Sequence, residues 1–375
     1  MHRRDFLKNS CALAAGAAAL GRVGPAAGAA IDDAYVREAS WYRSLPGGQV
    51  ACQLCPNRCR IRTGQAGVCR VRANRGGKLV TRIYGRPVTM NDDPVEKKPL
   101  FHFLPGTTSL SISNGGCNMV CRFCQNWQLS QSPPERLPDR YGFVSADDLV
   151  AVAERKSSRS IALTYAEPVV AHEYNLAVAK AGRKAGIPAL MVSNGYIELE
   201  PLDELLPELG AYKVDFKAFD EGFYRDVCQG RLRPVLRAMQ RIQKRGVWLE
   251  IVHLTIPTLN DGDEQIKRLC AWVVDNLGPD VPLHFTRFHP TYRLRNLPAT
   301  PPSTLERAWN IAKKAGLHYP YVGNLPGHQG ENTHCHGCGQ LLIKREGYRT
   351  TMEGLDEGRC TKCNTAIPGV WKWPA

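Results

Sequence analysis

Eleven of the fourteen cysteines in this 375-residue chain fall into three tight clusters. They are Cys52, Cys55, Cys59 and Cys69; then Cys117, Cys121 and Cys124; then Cys335, Cys338, Cys360 and Cys363. Thiols two or three residues apart converge on a metal more readily than they pair with each other. Disulfide frameworks belong to short secreted chains that cannot build a core. Here 43% of residues are hydrophobic and 22% charged, which allows a packed core and excludes global disorder. No apolar run approaches the roughly 20 residues of a membrane span, so integral membrane insertion is excluded. Cys11, Cys228 and Cys270 stand apart, and the last two read as small buried apolar residues.

The central cluster, Cys117-x3-Cys121-x2-Cys124, carries the most specific signal. Three thiolates can hold three irons of a 4Fe–4S cluster and leave the fourth iron open to an exogenous ligand. A closed site would want a fourth cysteine nearby, and none follows before Cys228. The alternative is a zinc ion that borrows a distant ligand. Cys335-x2-Cys338 and Cys360-x2-Cys363 form two knuckles, the pattern of a zinc ribbon, with a pair of disulfides as the alternative. His334 and His336 border the first knuckle, although four cysteines already suffice. Cys52-x2-Cys55-x3-Cys59-x9-Cys69 fits a second 4Fe–4S cluster and a structural zinc equally by spacing. The need to bring electrons to the central site favours the cluster.

Four regions are expected. Residues 1–30 read as a targeting segment. Arg3-Arg4-Asp5-Phe6-Leu7-Lys8 has the twin-arginine pattern, an Ala-rich stretch follows, and Ala27-Gly28-Ala29 offers a small-residue cleavage site. Residues 31–105 form an N-terminal Cys-rich region of sparse periodicity. Over 106–325, β-rich runs at 109–113, 160–164, 189–193, 212–216, 249–254, 283–287 and 319–322 alternate with helical patterns. The helical patterns are at 147–156, 171–185, 202–209, 232–244, 265–276 and 305–315. Ser145 and Asp148 form a capping box before the first helix. Such alternation implies a parallel sheet, and ligands collect at the C-terminal ends of its strands. Residues 326–375 make a small Cys-rich module. The leader predicts a periplasmic protein if it functions and a cytoplasmic one otherwise. Iron–sulfur chemistry calls for a reducing compartment, which conflicts with export.

The formal charge is +14. Ligation of eleven thiolates and loss of the leader would bring it to about +6, so nucleic acid is a disfavoured partner.

The central motif, in a loop that follows a β-run, resembles the radical S-adenosylmethionine (SAM) superfamily. More closely, the chain resembles the radical SAM member of the AmmeMemoRadiSam group, related to pyruvate formate-lyase activating enzymes. The stretches 52–59, 93–102 and 339–371 carry that closer likeness, which covers 45–373. It implies an α/β fold: a partial (β/α)6-type TIM barrel with an N-terminal Cys-rich segment and a C-terminal zinc-ribbon-like module. It also implies a 4Fe–4S cluster, SAM and a reducing electron donor. The open iron chelates SAM, and one electron passed to the sulfonium cleaves a carbon–sulfur bond. The 5′-deoxyadenosyl radical formed abstracts a substrate hydrogen, and the protein supplies position and excludes water. The substrate, protein or small molecule, is not written in the sequence; the activating-enzyme likeness hints at a protein glycine.

Several residues after β-runs become cofactor-binding candidates. Tyr165-Ala166-Glu167-Pro168 is similar to the segment that contacts the SAM amino group, with Tyr-Ala where the superfamily has Gly-Gly, and Glu167 is the candidate acceptor. Ser193 and Asn194 suit ribose hydroxyls or the methionine carboxylate. Asp215 and Lys217 share one strand face. His289 resembles a late-strand histidine near the ribose or adenine. Glu250 reads equally as a paired structural charge. Two other readings stand beside this one: an exported iron–sulfur electron-transfer protein with a degenerate SAM site, and a nucleic-acid-binding module.

Overall fold

The structure is a computed structural model that describes residues 31–374. The expected leader lies outside the described residues. An eight-stranded sheet organises the chain: β1 (Thr89–Pro94), β2 (Thr108–Ser113), β3 (Ser160–Leu163), β4 (Ala189–Ser193), β5 (Leu209–Phe216), β6 (Trp248–Thr255), β7 (Leu283–Arg287) and β8 (Pro320–Gly323). Each strand pairs with the next in sequence. β1 runs antiparallel to β2, and β2 to β8 are all parallel. The crossovers contain α1 (Ala146–Arg155), α2 (His172–Lys184), α3 (Leu199–Leu205), α4 (Leu232–Lys244), α5 (Asp263–Leu277) and α6 (Pro302–Lys314). All seven β-runs and six helical patterns expected from the sequence are present. The capping box forms as well: the Ser145 hydroxyl accepts from the Asp148 N–H, and the Asp148 carboxylate accepts from the Ser145 N–H.

The two sheet faces bury different partners. On one, Ile112, Leu163, Met191, Val214, Ile251 and Phe285 belong to the same core as Leu149, Val178, Val235, Leu269 and Leu305 of the helices. On the other, Ala162, Leu190 and Ala211 pack with Val95, Leu100, Phe103 and Leu104 from the segment after β1. Glu250 on β6 fastens that segment. Its carboxylate accepts from the Phe101 N–H at 3.0 Å, the His102 N–H at 2.8 Å and Trp248 Nε1 at 3.0 Å, and lies 2.7 Å from His284 Nε2. Burial pushes this carboxyl up, but His284 and the donated N–H groups outweigh burial and hold it at about 2. Glu250 is therefore a structural charge.

The flanking regions dock on this frame. Before β1 lie two three-stranded antiparallel sheets; in one, Cys52 ends the strand Gln49–Cys52, and Cys55 and Cys59 lie in the connection to Arg60–Ile61. At the other end, Thr333–His334, Leu341–Glu346 and Arg349–Met352 form a small sheet, followed by the hairpin Leu355–Asp356 with Arg359–Cys360. The terminal stretch returns to the sheet: Val370 N–H donates to His102 O at 2.7 Å, and Leu104 N–H donates to Val370 O at 2.8 Å. Arg345 sits 4.1 Å from the Phe101 ring centroid and donates to Phe101 O. Among the described residues no helix is long and apolar enough to cross a membrane.

Candidate functional site

The loop after β2 begins Asn114-Gly115-Gly116-Cys117, and both glycines adopt positive φ, 79° and 81°. Gly116 is gripped on two sides: its N–H donates to Leu129 O, and its C=O accepts from the Glu167 N–H at 3.1 Å. A Cβ at Gly116 would meet Val71 Cγ1 at 2.6 Å and Cys69 O at 2.9 Å. The turn thus presses the central cysteine loop onto the N-terminal one, and only glycine fits there. Gly116→Ala combines left-handed strain with overpacking, so we expect a loss of about 2–4 kcal/mol, read by denaturant unfolding. A midpoint matching wild type would show that the two loops are not in this contact.

Three thiols follow. Cys121 is buried, and Cys117 and Cys124 are partly buried. Each has a donor. The Met119 N–H approaches Cys117 Sγ at 3.4 Å, and Ser130 Oγ lies 3.2 Å from Cys124 Sγ. The neighbouring Cys228 thiol is the largest influence holding Cys121 below its ordinary value, while burial pushes Cys117 and Cys124 up. The Cys228 segment is pinned to the loop by Val120 N–H to Cys228 O (2.8 Å) and Arg122 N–H to Val227 O (3.0 Å). That segment, Tyr224–Cys228, is a turn of π-helix. Among the described residues, the groups of three or more whose ligand atoms all lie within 4.8 Å do not include Cys117, Cys121 and Cys124. A single tetrahedral ion would draw its sulfurs to about 3.8 Å. The wider trio fits a four-iron cluster, and hydrogen bonds to its sulfurs are what such clusters use to set their potential.

Glu167, Ser193 and Asn194 come together beside this loop. Glu167 Oε1 accepts from Ser193 Oγ at 2.6 Å and from the Val169 N–H at 3.1 Å, and Oε2 accepts from the Asn194 N–H at 2.9 Å. Three of about four acceptor positions are filled, which leaves one on Oε2. Burial pushes the carboxyl up to about 7, even though these donors oppose it. Asn194 Nδ2 donates to Asn118 Oδ1 at 2.9 Å and lies 3.9 Å from Cys117 Sγ. The turn that aims Glu167 is strained: Tyr165 has φ 65°, held by Asn126 Nδ2 on its carbonyl and by its hydroxyl on Asp93.

Asp215 and Lys217 share the inner face of β5, as strand alternation predicts, with Lys217 Nζ 3.7 Å from Asp215. Lys213 joins them and pairs with the same carboxylate. Burial opposes charge on Lys217, but Asp215 and the cysteines Cys121, Cys228 and Cys124 raise it, so an ammonium faces the thiols. His289 lies on the exposed segment just after β7, at the same sheet end, with no hydrogen bond to the Glu167 group. Sequence reasoning missed Cys228, Lys213, Ser130 and Asn118. For Lys213, the alternation that linked Asp215 to Lys217 was a usable signal.

The other two cysteine groups differ in spacing. Cys335 and Cys363 sulfurs are 3.6 Å apart, Cys338 and Cys360 sulfurs 3.7 Å, and all four lie within 4.8 Å. Those separations match the edge of a tetrahedron with metal–sulfur bonds of about 2.3 Å. Thr365 holds the Cys363 thiol down, to about 6, close to the thiolate a metal requires. His336 is engaged elsewhere, its Nδ1 2.6 Å from the Tyr319 hydroxyl. Cys52, Cys55, Cys59 and Cys69 line a cavity with Leu54, Ile61, Asn118 and Arg72 and do not form so tight a set.

Residues 111–270 match the radical SAM superfamily. The chain is 42% identical over 334 residues to an uncharacterized protein of Methanocaldococcus jannaschii, covering 88% of this chain and 99% of that one. A second uncharacterized protein of that organism is 22% identical over 283 residues, covering 72% and 76%. Among solved structures, the chain is similar to a radical SAM methyltransferase from Sphaerobacter thermophilus (TM-score 0.47, 16% identity, 64% of this chain and 71% of that one). It is also similar to a domain of pyruvate-formate lyase-activating enzyme from Bacteroides vulgatus (TM-score 0.40, 16% identity, 44% and 99%).

Proposed function

The chain belongs to the radical SAM superfamily, and from that premise we propose that it reductively cleaves SAM at a 4Fe–4S cluster held by Cys117, Cys121 and Cys124, using the 5′-deoxyadenosyl radical to take hydrogen from its substrate. One observation carries the reading: three thiols converge from one loop beside a buried carboxylate that keeps one acceptor position free. The chain's own residues then have separable tasks. Oε2 of Glu167 accepts from the SAM amino group. Ser193 and Asn194 hold that carboxylate in place, and Asn194 also caps Cys117. Lys217 attracts the methionine carboxylate, with Asp215 and Lys213 fixing its ammonium. His289 closes over the ribose or adenine from the strand end. The six units from β2 to β7 support a partial (β/α)6 barrel, which β8 extends. The Cys335–Cys363 group supports a zinc ribbon. The motif stretches at 93–102 and 339–371 support the AmmeMemoRadiSam group, and with it a protein or small-molecule substrate approached in the manner of an activating enzyme.

Glu167 gives this reading a pH signature. Its carboxyl is raised to about 7, so below that value the proton blocks the free lone pair, and above it the carboxylate accepts from the amine. SAM affinity should therefore strengthen as pH rises through 7, and Glu167→Gln should weaken binding roughly tenfold at pH 8 and flatten the rise, as followed by equilibrium dialysis. A variant with wild-type affinity across that range would remove Glu167 from the site.

The reading as a whole is tested by reconstituting the protein anaerobically with iron and sulfide, adding dithionite and SAM, and quantifying products. Equimolar 5′-deoxyadenosine and methionine are expected. A protein that assembles its cluster and leaves SAM intact contradicts it.

A further inference from the structure

We propose that Cys52, Cys55, Cys59 and Cys69 hold a second four-iron cluster that feeds electrons to the central one; the relay half of this rests on the function proposed above. The C-terminal cysteines act as an internal comparison. There, four sulfurs close to 3.6–3.7 Å across each pair, as around one ion. The N-terminal four do not close up. They line a cavity bordered by the apolar side chains of Leu54, Ile61 and Val170. One zinc ion would draw its four sulfurs to about 3.8 Å, as in the C-terminal set, whereas a four-iron cluster holds its thiolates farther apart.

Hydrogen bonding agrees. Arg72 lines the same cavity at 2% exposure. Its terminal nitrogens are used, on both oxygens of Glu173 and on Ser40 O, but its buried Nε has no partner. An orphaned guanidinium N–H beside four thiols is costly unless an acceptor completes it, and thiolate or sulfide sulfur is such an acceptor. Glu173 already offsets the guanidinium charge, so Arg72 serves the site through its free Nε–H.

Position supplies the role. Asn57, between Cys55 and Cys59, donates through Nδ2 to Asn118 O at 2.7 Å. Asn118 lines the cysteine cavity, neighbours Cys117 in sequence, and bonds the Asn194 amide that caps Cys117. Cys69 O lies against Gly116. One layer of residues therefore separates the two cysteine sets. A single electron enters from a low-potential ferredoxin- or flavodoxin-type protein, passes to the central cluster, and is consumed when the sulfonium carbon–sulfur bond breaks to methionine and the radical.

The test uses full-length protein reconstituted without oxygen and assayed for iron, sulfide and zinc. Wild type should carry about eight irons per chain, at four per cluster, and about one zinc. The Cys117→Ala/Cys121→Ala/Cys124→Ala protein should keep about four irons with a four-iron Mössbauer spectrum. Cys55→Ser/Cys59→Ser should keep the other four and their response to SAM; if it fails to fold, the triple variant decides alone. In reduced wild type, each cluster's electron paramagnetic resonance signal should be broadened by the other. No iron and a second zinc in the triple variant would overturn the site, and two unbroadened signals would overturn the relay. If wild type does not cleave SAM while the triple variant keeps its four irons, the functional reading fails and the second cluster stands.

Discussion

Cys117→Ala is expected to reduce 5′-deoxyadenosine formation by about 10³-fold or more, equivalent to over about 4 kcal/mol of barrier, leaving the rate of the protein-free control. The loss should be this large because nothing replaces the missing thiolate. Among the described residues Cys228 is the cysteine whose thiol lies beside Cys121, and its segment is fixed there by hydrogen bonds from Val120 and Arg122. A three-cysteine site stripped to two cannot hold the cluster in the register that leaves one iron open. Cys270→Ala provides the control. Cys270 is a buried apolar residue of α5 that packs in the helix-side core, so the change should cost some stability and leave SAM cleavage near wild type. Product quantification by chromatography after anaerobic reconstitution reads both variants together. Equal activity in Cys117→Ala and wild type would show that catalysis does not run through the trio.

The second large effect is structural. Cys360→Ala should release the zinc proposed for the C-terminal module and unfold residues 326–374 locally. Cys360 is buried, 1% exposed, with its sulfur 3.7 Å from that of Cys338. Binding of zinc to such a site is itself folding free energy, about 10–16 kcal/mol in small zinc domains, and three ligands retain only part of it. The consequence should travel. Val370 bonds His102 and Leu104, and Arg345 covers Phe101, so a loosened module uncovers the segment that seals one face of the sheet. Zinc analysis with amide hydrogen exchange checks this: protection should fall over 326–374 and over 101–104, and a chelator should reproduce the pattern in wild type. If reductant alone reproduces it and the chelator does nothing, the four cysteines are two disulfides instead.

Much of this architecture was legible in the chain because period and spacing are local. The alternating runs of 106–325 became β2 to β8 and α1 to α6, and strand alternation put Asp215 and Lys217 on one face. What was missed depends on long-range contact. β1 reads Thr-Met-Asn-Asp-Asp-Pro, a turn by composition, yet it is an edge strand, where carboxylates and proline are tolerated. Cys228 looked like an apolar filler because it lies over a hundred residues from the trio; it is buried as expected, and the fold also brings its segment against the trio's loop. Glu250 had two equal readings from sequence, and four donors around its carboxylate settle it as structural. His289 sits at the anticipated strand end, exposed, while Ser193, Asn194 and Glu167 interlock in a way that no local pattern announced.

The most direct measurement is Mössbauer spectroscopy of the iron-57-reconstituted protein, recorded without and with SAM. One iron of the cluster at Cys117, Cys121 and Cys124 should be spectroscopically distinct and should shift when SAM binds, with the shift lost in the triple alanine variant. Four equivalent irons that ignore SAM, as a fourth ligand from Cys228 would produce, or zinc alone at the trio, would contradict the account.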